Sequence, residues 1–195
     1  EWEYDTNNKD TFTLLDGSSK ELTLMRNSGG AYFENDKATA FGCTYKNGLK
    51  FIGILPKETG DFTIEALDIT SLLASETYEY NVTACMPKLT FDTNLPLADA
   101  LSAAGLSEIF ERDKADFSGM SEADLWVSDV LQKTRLELDE HKTKASAATG
   151  IMMNDAGAMP KEDMRREVFL DRPFAFVIYD SAENQIVFLG KVTEP

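Results

Sequence analysis

Apolar and polar residues alternate along several short stretches of the chain, which is the pattern of strands that bury one face. The longest stretch is "YEYNVTACMPKLTFD", where alternate positions from Tyr78 to Met86 are apolar or aromatic and Pro87 indicates an edge or a bend. The turns Asn47-Gly48 and "SAEN" predict antiparallel hairpins, the second of them buried. Further strands are predicted at 21–25 ("ELTLM"), 49–57 ("LKFIGILPK"), 173–180 ("PFAFVIYD") and 185–192 ("QIVFLGKV").

Helical spacing is rarer. The stretch "IEALDITSLLAS" (64–75) predicts one short helix. A second is predicted in "PLADALSAAGLSEIF", where Pro96 suits a first turn and Gly105 a C-cap. The stretch "LWVSDVLQKTRLELDE" (125–140) returns to a strand-like rhythm. These patterns predict a β-rich α+β fold, with antiparallel sheets and a few short helices, and no linker that divides the chain.

The negative net charge of the chain limits the kinds of molecule that it is expected to bind. The 195 residues are 43% hydrophobic, enough for one sizeable core, and carry a formal net charge of −15. Because phosphate binding needs clustered Lys and Arg, nucleic acid and an anionic membrane surface are disfavoured as partners. The acidic residues are dispersed, so their charge serves mainly solubility. No apolar run approaches the length of a transmembrane helix, and no secretory signal is visible at the N-terminus.

The residues needed for common catalytic sites are missing. The single histidine, His141, lies in the charged run "DEHKTK", with no Gly-x-Ser-x-Gly motif nearby. Cys43 and Cys85 lie in apolar strand-like surroundings and are predicted to be buried thiols, with one disulfide between them left open. No metal-binding cluster, phosphate-binding loop or dinucleotide fingerprint is present. We therefore expect no enzyme activity, no metal and no cofactor.

Four motifs follow one another in the second half of the chain: "ADFSGMS" (115–121), "LWVSDVLQKTRLELDE" running into "ASAAT", "DRPFAFVIYD" (171–180) and the closing "FLGKV". Their order resembles that of the serpins, a family of serine protease inhibitors. Upstream, Trp2, "FTLLDGSSKELTLM" and "GILPKE" (53–58) also resemble the family, so the likeness covers the whole chain. In the family the part that resembles Trp2 lies near the middle of the domain. The resemblance therefore implies that residues 1–195 are the C-terminal half of one serpin domain, with the N-terminal half absent.

The resemblance implies an inhibitor that acts as a suicide substrate. An exposed reactive-centre loop, about 140–167, is cleaved by a serine protease, acylates it, and inserts as a strand into the main sheet. Because insertion needs strands from the absent half, this half alone is expected not to inhibit. The resemblance also leaves open a non-inhibitory serpin that acts as a binding or carrier module. A secreted or extracellular location is expected, with cytoplasmic members of the family as the alternative.

A loop that inserts must carry one face suited to burial. Read with period two from the hinge at Glu140, one face of the segment is uncharged, small near the hinge and larger further on. Asp155 then places a charge on that face and is expected to end insertion, so that residues 154–166 stay outside the main sheet. A helical conformation of the uncut loop is compatible with this reading. The residues of the uncharged face are Thr143, Ala145, Ala147, Thr149, Ile151 and Met153.

Two lysines depart from the family's hinge. Lys142 stands where a glycine is usual and Lys144 where an acidic residue is common. Both fall on the opposite, solvent face of the period-two reading, so insertion is expected to survive.

The family's usual spacing from Glu140 places the reactive bond at Ala156-Gly157. A small alanine suits a protease with a shallow primary pocket, either elastase-like or subtilisin-like. Because the loop is longer than usual before Pro173, other cleavage positions stay open, although Pro160 disfavours cleavage after Met159. These other positions are Met153, Met159, Lys161 and Arg165.

Two further residues resemble the region where the main sheet opens. Trp2 resembles the tryptophan under the site of loop entry, and a buried aromatic anchor is an equally compatible role. Gln132 stands where many serpins have a histidine, so any gate there would lack a pH-sensitive imidazole. Phe174 and Phe176 are expected in the core, and Glu137, Asp139 and Glu140 at a solvated strand end.

Overall fold

The computed structural model describes residues 2–7, 9–139 and 164–195. Within these ranges it contains twelve strands and a few short helical segments, which confirms the expected β-rich α+β class. The chain divides into two compact units, Glu1–Leu89 with Leu138–Pro195, and Thr90–Glu137.

The bounds of the elements are as follows. The strands are β1 (Asp10–Thr13), β2 (Ser19–Leu22), β3 (Leu24–Ser28), β4 (Ala31–Glu34), β5 (Ala38–Thr44), β6 (Leu49–Pro56), β7 (Asn81–Pro87), β8 (Leu89–Pro96), β9 (Leu131–Leu138), β10 (Arg165–Phe169), β11 (Phe174–Asp180) and β12 (Gln185–Val192). The helical segments are a 3-10 turn at Glu65–Leu67, α1 (Ile69–Ala74), α2 (Ala98–Leu101), a wide turn at Ser102–Leu106 and a 3-10 turn at Ser107–Phe110.

A five-stranded antiparallel sheet in the order β12-β11-β6-β5-β4 forms the centre of the first unit. Both of its faces are covered, which explains why β5, β6 and β11 read as nearly continuous apolar runs. One face packs Ile52, Ile54 and Val177 against Leu67 and Leu72 of the helical turns. The other face is aromatic, and its buried rings are those of Phe41, Phe51, Phe174 and Phe176.

Both predicted hairpins are present in this sheet. Gly48 adopts a φ of 90°, and Asn47 Oδ1 accepts a hydrogen bond from Leu49 N, which fixes the turn between β5 and β6. The pair β11 and β12 is antiparallel as expected. Burial of the last strand was predicted wrongly, because β12 is the edge strand and Val187 is 54% exposed.

A second, three-stranded sheet has the order β10-β7-β3, with β10 parallel to the central β7 and β3 antiparallel to it. The single interrupted strand predicted from Tyr78 onward is two strands, β7 and β8, which are separated at Lys88 directly after Pro87. Val82, Ala84 and Met86 are buried as the alternation predicted. A two-stranded sheet of β1 and β2 completes the strands of this unit within the described residues.

The second unit contains a two-stranded sheet of β8 and β9 and the helical segments from α2 onward. Pro96 ends β8 instead of opening a helix, and the helix begins at Ala98. Gly105 has a φ of 97° and interrupts the helical segment, in agreement with its predicted C-cap role. Residues 125–130, predicted as strand, have no regular structure, and Leu125 and Trp126 are more than two-fifths exposed.

Two predicted elements of the first unit are divided. The expected helix 64–75 is broken at Asp68, whose φ is 47° and whose carboxylate accepts a hydrogen bond from Ser71 N. The expected strand 21–25 is broken at Thr23, so its two ends belong to the different sheets of β2 and β3. No helix among the described residues is long and apolar enough to cross a membrane.

Candidate functional site

The candidate reactive loop lies between β9, which ends at Leu138, and β10, which begins at Arg165. Its central part, 140–163, lies outside the described residues. The predicted hinge residue Glu140, the insertable face from Thr143 to Met153 and the predicted reactive bond Ala156-Gly157 all belong to that part. The structure therefore informs on the two flanks of the loop and on the residues that hold them.

The flank before the loop is β9, where exposed polar residues pair along the strand. Arg135 donates from Nε (2.9 Å) and Nη2 (2.5 Å) to Glu137 Oε1. The hydrogen bond and charge of Glu137 raise the pKa of Arg135. Gln132 is exposed, with its Nε2 3.5 Å from Thr134 Oγ1. Glu137, one of the three acidic residues predicted at this strand end, is thus paired with Arg135.

The flank after the loop is the start of β10, where Arg166 lies over an aromatic pair. The Arg166 guanidinium carbon is 4.0 Å from the centroid of the Tyr80 ring and 5.8 Å from that of Tyr32. The two rings meet edge to face, with centroids 5.4 Å apart. A guanidinium at this distance from an aromatic face is attracted by the ring quadrupole. We call Arg166, Tyr80 and Tyr32 the β10 clamp, because they join the first residues after the loop to β4 and to the start of β7.

Hydrogen bonds extend the β10 clamp across the sheet edge. Tyr32 donates its hydroxyl to Glu34 Oε2 at 3.0 Å, and Lys57 Nζ donates to Glu34 Oε1 at 2.7 Å. Burial, with the adjacent Glu34, raises the pKa of Tyr32 to about 12. The hydrogen bond from Lys57 lowers the pKa of Glu34. The alternation around Tyr80 hinted at a buried aromatic, but a partner from β10 was missed, since nothing local in the sequence joins residue 80 to residue 166.

Trp2 is buried, with only 4% of its surface exposed, and its ring meets Phe41 edge to face at 5.7 Å. Its neighbour Glu3 exchanges two backbone hydrogen bonds with Arg26, both of 2.8 Å, which fixes the start of the chain beside β3. Among the described residues, the Trp2 indole nitrogen is the one buried side-chain nitrogen or oxygen with no hydrogen-bond partner. The anchoring role expected for Trp2 fits this environment. Trp2 belongs to the first unit and Gln132 to the second.

Both cysteines are free and buried. Arg26 Nη1 donates to Cys85 Sγ at 3.2 Å, and Arg26 Nη2 donates to Asp10 Oδ1 at 2.5 Å. Burial raises the pKa of both thiols, Cys43 and Cys85, to about 11. A thiol with a raised pKa is a poor nucleophile at neutral pH. Cys43 in β5 and Cys85 in β7 therefore act as buried packing residues.

Within the described residues, no group of three or more His, Cys, Asp or Glu side chains is arranged to hold a metal ion. The features that flank the loop are an ion pair on one strand and a cation-aromatic cluster on another.

Comparisons with known proteins agree with this picture. The chain matches the family model "Serpin (serine protease inhibitor)" over residues 1–195. It is similar to an uncharacterized serpin-like protein of Methanosarcina mazei, with 36% identity over 185 residues that cover 91% of this chain and 42% of the relative. It is also similar to Serpin B10 of Sorex araneus, with 31% identity over 209 residues that cover 100% of this chain and 52% of the relative.

Solved structures give the same result. The thermophilic serpin tengpin, in its native state, matches with a TM-score of 0.78 and 30% identity. The match covers 100% of this chain and 53% of that chain. The chain thus spans about half the length of the relatives that it matches.

Proposed function

This chain belongs to the serpin family, and we propose that it is the C-terminal half of a serpin domain that inhibits serine proteases as a suicide substrate. The observation that carries the proposal is the family match over all of residues 1–195, a range that includes the candidate loop. The period-two pattern of that loop supports the same mechanism, since its alternate positions from Thr143 to Met153 carry no charge.

The proposed reaction begins with attack by the protease's serine hydroxyl on the carbonyl carbon of Ala156. The peptide bond to Gly157 breaks, the amino group of Gly157 leaves with the proton delivered by the protease, and an ester joins Ala156 to the enzyme. Gly157 then begins a segment that runs into β10. The parallel pairing of β10 with β7 and the β10 clamp support retention of this segment on the body of the inhibitor.

Insertion of the cut loop would then displace the attached protease. Eleven residues, 143–153, extended at roughly 3.3 Å each, span about 36 Å. Ile151 and Met153 lie at the far end of the uncharged face, where burial gains about 25 cal/mol per Å² of apolar surface. Asp155 lies on the same face and would oppose further insertion, because a buried carboxylate without a partner is costly.

The proposal includes an N-terminal half of the domain, outside residues 1–195, that completes the fold. The chain covers 42%, 52% and 53% of the three relatives described above. Among the residues that the structure describes, the buried indole N–H of Trp2 has no acceptor, and β12 is an edge strand that exposes Ile186, Val187 and Leu189. Both features fit a core that is completed by polypeptide beyond residues 1–195. A secreted location is included in the proposal, because the expected target proteases act outside cells.

The test uses the complete protein, mixed with an elastase-like and a subtilisin-like protease. We expect an equimolar complex that survives denaturation, because an ester joins the partners. A protease variant whose catalytic serine is alanine is the control and should give no such complex. Denaturation should release the fragment after the cleaved bond, and N-terminal sequencing of this fragment should give Gly157 as its first residue. Turnover of the loop without a covalent complex would contradict inhibition, and a fragment that begins elsewhere would contradict the Ala156-Gly157 assignment.

A second candidate function is that of a non-inhibitory serpin acting as a binding or carrier module. The observation that favours it is the hinge, where Lys142 and Lys144 replace the usual glycine and acidic residue. Thermal unfolding separates the two candidates. Cleavage of the loop should raise the unfolding temperature sharply in an inserting inhibitor, and leave it nearly unchanged in a relative that does not insert.

A further inference from the structure

Asn81, Val82 and Thr83 form the single Asn-x-Ser/Thr triplet in the 195-residue sequence. Eight other asparagines lack a Ser or Thr two positions later. This triplet, with any middle residue except proline, is the acceptor pattern for N-glycosylation. A short motif of this kind arises easily by chance, so its structural setting decides whether it can work as a site.

The setting of Asn81 suits an attached sugar. Asn81 is the first residue of β7 and is exposed, whereas Val82 is 1% exposed and points into the core. In the part of the chain that the structure describes, the Asn81 side chain makes no hydrogen bond, ion pair or ring contact. Replacing one of its amide hydrogens by a sugar would therefore break no contact seen within those residues.

The neighbouring backbone leaves room on one side of Asn81. The pairing of β3 with β7 reaches only from Leu24–Pro87 to Ser28–Thr83, so Asn81 lies beyond the last paired residue of β3. The chain that follows β3 is the glycine pair Gly29-Gly30, and Gly29 N donates to Val82 O at 2.8 Å. Gly29 has a φ of 96°, and no atom lies within 4 Å of the position that its Cβ would take. The turn beside the motif thus carries no side chain that would crowd a sugar.

On its other side, Asn81 is the register partner of Arg165, the first residue of β10. Arg165 is exposed, and the next residue, Arg166, belongs to the β10 clamp. A sugar on Asn81 would therefore lie at the solvent-exposed start of the central strand β7, beside the strand that begins after the candidate loop.

We propose that Asn81 is an N-glycosylation site. The donor is an oligosaccharide whose anomeric carbon is bound to a lipid diphosphate, and the catalyst is a membrane-bound oligosaccharyltransferase. The bond between the anomeric carbon and the diphosphate oxygen breaks, and the bond between Asn81 Nδ2 and that carbon forms. Nδ2 loses one proton to the catalyst's base, and the lipid diphosphate leaves. Because β7 is paired in the folded protein, transfer takes place before the sheet closes, and the sugar then stays outside the core. This site rests on the proposed secreted location, because the acceptor pattern is used in secreted proteins, but it does not depend on the proposed inhibitory function.

Mass spectrometry of the complete protein, purified from its natural host, tests the site. Trypsin releases the peptide 58–88, from Glu58 to Lys88, in which Asn81 is the single asparagine. We expect this peptide to carry a sugar mass, and peptide-N-glycosidase in heavy-oxygen water to convert Asn81 to a labelled Asp. Recovery of the peptide at its bare mass alone would overturn the proposal.

Variants made in the same host provide matched controls. Asn81→Gln and Thr83→Ala should lose the sugar completely, whereas Thr83→Ser keeps the hydroxyl and should retain it. The three variants can be compared at the level of the peptide, so a change in folding or yield does not obscure the result. A sugar mass that persists in Asn81→Gln would place the modification elsewhere and overturn the assignment.

Discussion

Single residues determine how the aromatic face of the five-stranded sheet closes. Gly53 of β6 is the register partner of both Phe41 in β5 and Phe176 in β11. A Cβ on Gly53 would lie 2.7 Å from the Phe41 ring and 2.8 Å from Leu170 Cδ1. On β12, a Cβ on Gly190 would lie 2.4 Å from the Phe176 ring. Phenylalanine rings thus lie directly over glycines of adjacent strands, and the glycines are required by contact and not by backbone angle.

Gly53→Ala is expected to destabilise the complete protein. The added methyl meets a buried ring on one side and a buried leucine on the other, and overpacking of this kind costs roughly 1–3 kcal/mol in the free energy of unfolding. Gly119→Ala is the matched control, since no atom lies within 4 Å of its Cβ position. The urea midpoint measures both. Equal midpoints for the two variants would contradict the packing argument.

The buried thiol of Cys43 predicts a loss of stability at alkaline pH. Burial raises its pKa from 9.0 to about 11, so the folded protein holds the proton after the unfolded chain has released it. The stabilisation is complete below pH 9 and is lost as the pH rises toward 11, at about 1.4 kcal/mol for each pKa unit. We expect urea midpoints measured from pH 8 to 10 to fall less steeply in Cys43→Ala than in the wild type. The same slope in both proteins would contradict the prediction.

At the scale of elements, β10 depends on contacts that are distant in sequence. It pairs with β7 in parallel register from Arg165–Asn81 to Phe169–Cys85, and Arg166 lies over Tyr80 and Tyr32. Val168 is fully buried and fixes the inner face of the strand. Arg166 and Val168 lie on the same face of β10, since residues two apart along a strand share a face. The strand that follows the candidate loop is thus held on this face by the β10 clamp at its start and by burial of Val168 further along.

Arg166→Ala should loosen the start of β10. A cation over an aromatic ring contributes roughly 0.5–2 kcal/mol, depending on its exposure. We expect faster amide hydrogen exchange in residues 165–169 and a smaller free energy of unfolding. Arg165→Ala is the control, because Arg165 is exposed and has no ring contact with any residue that the structure describes. Tyr80→Leu should reproduce the effect of Arg166→Ala. Equal exchange rates in both arginine variants would show that the clamp does not hold the strand.

Elements with a strong local pattern were predictable from the sequence. The hairpin at Asn47-Gly48 and the pair β11–β12 follow from turn residues and apolar runs. The breaks at Thr23 and Asp68 were missed, since in both cases the chain passes between sheets or turns without a Gly or Pro at the break itself. The interruption after Pro87 was predicted, because proline disfavours the interior of a strand. The exposure of β12 was missed because an apolar run has the same appearance in a central strand and at an edge.

At the scale of the whole molecule, the candidate loop could be predicted from the sequence, whereas the contacts that hold its C-terminal flank could be seen only in the structure. The uncharged face from Thr143 to Met153 could be read by counting alternate residues. The β10 clamp could not be predicted in this way, because its Tyr80–Arg166 contact joins residues that are 86 positions apart in the sequence. The proposed mechanism places one segment in two environments, exposed before cleavage and inserted after it, and so requires a sequence that satisfies both. Small, uncharged residues at alternate positions meet this requirement.

Thr143→Arg should convert the complete protein from an inhibitor into a substrate. Thr143 is the first residue of the uncharged face, and an arginine there would have to enter the sheet, at the cost of burying a charge without a partner. Insertion would slow, and the acyl bond would hydrolyse first. Lys144→Arg is the matched control, since residue 144 is on the opposite face and keeps its charge. The measurement is the ratio of covalent complex to cleaved inhibitor at equimolar protease. We expect a large fall in complex for Thr143→Arg and none for Lys144→Arg. A complex that persists in Thr143→Arg would show that the period-two face is wrongly assigned.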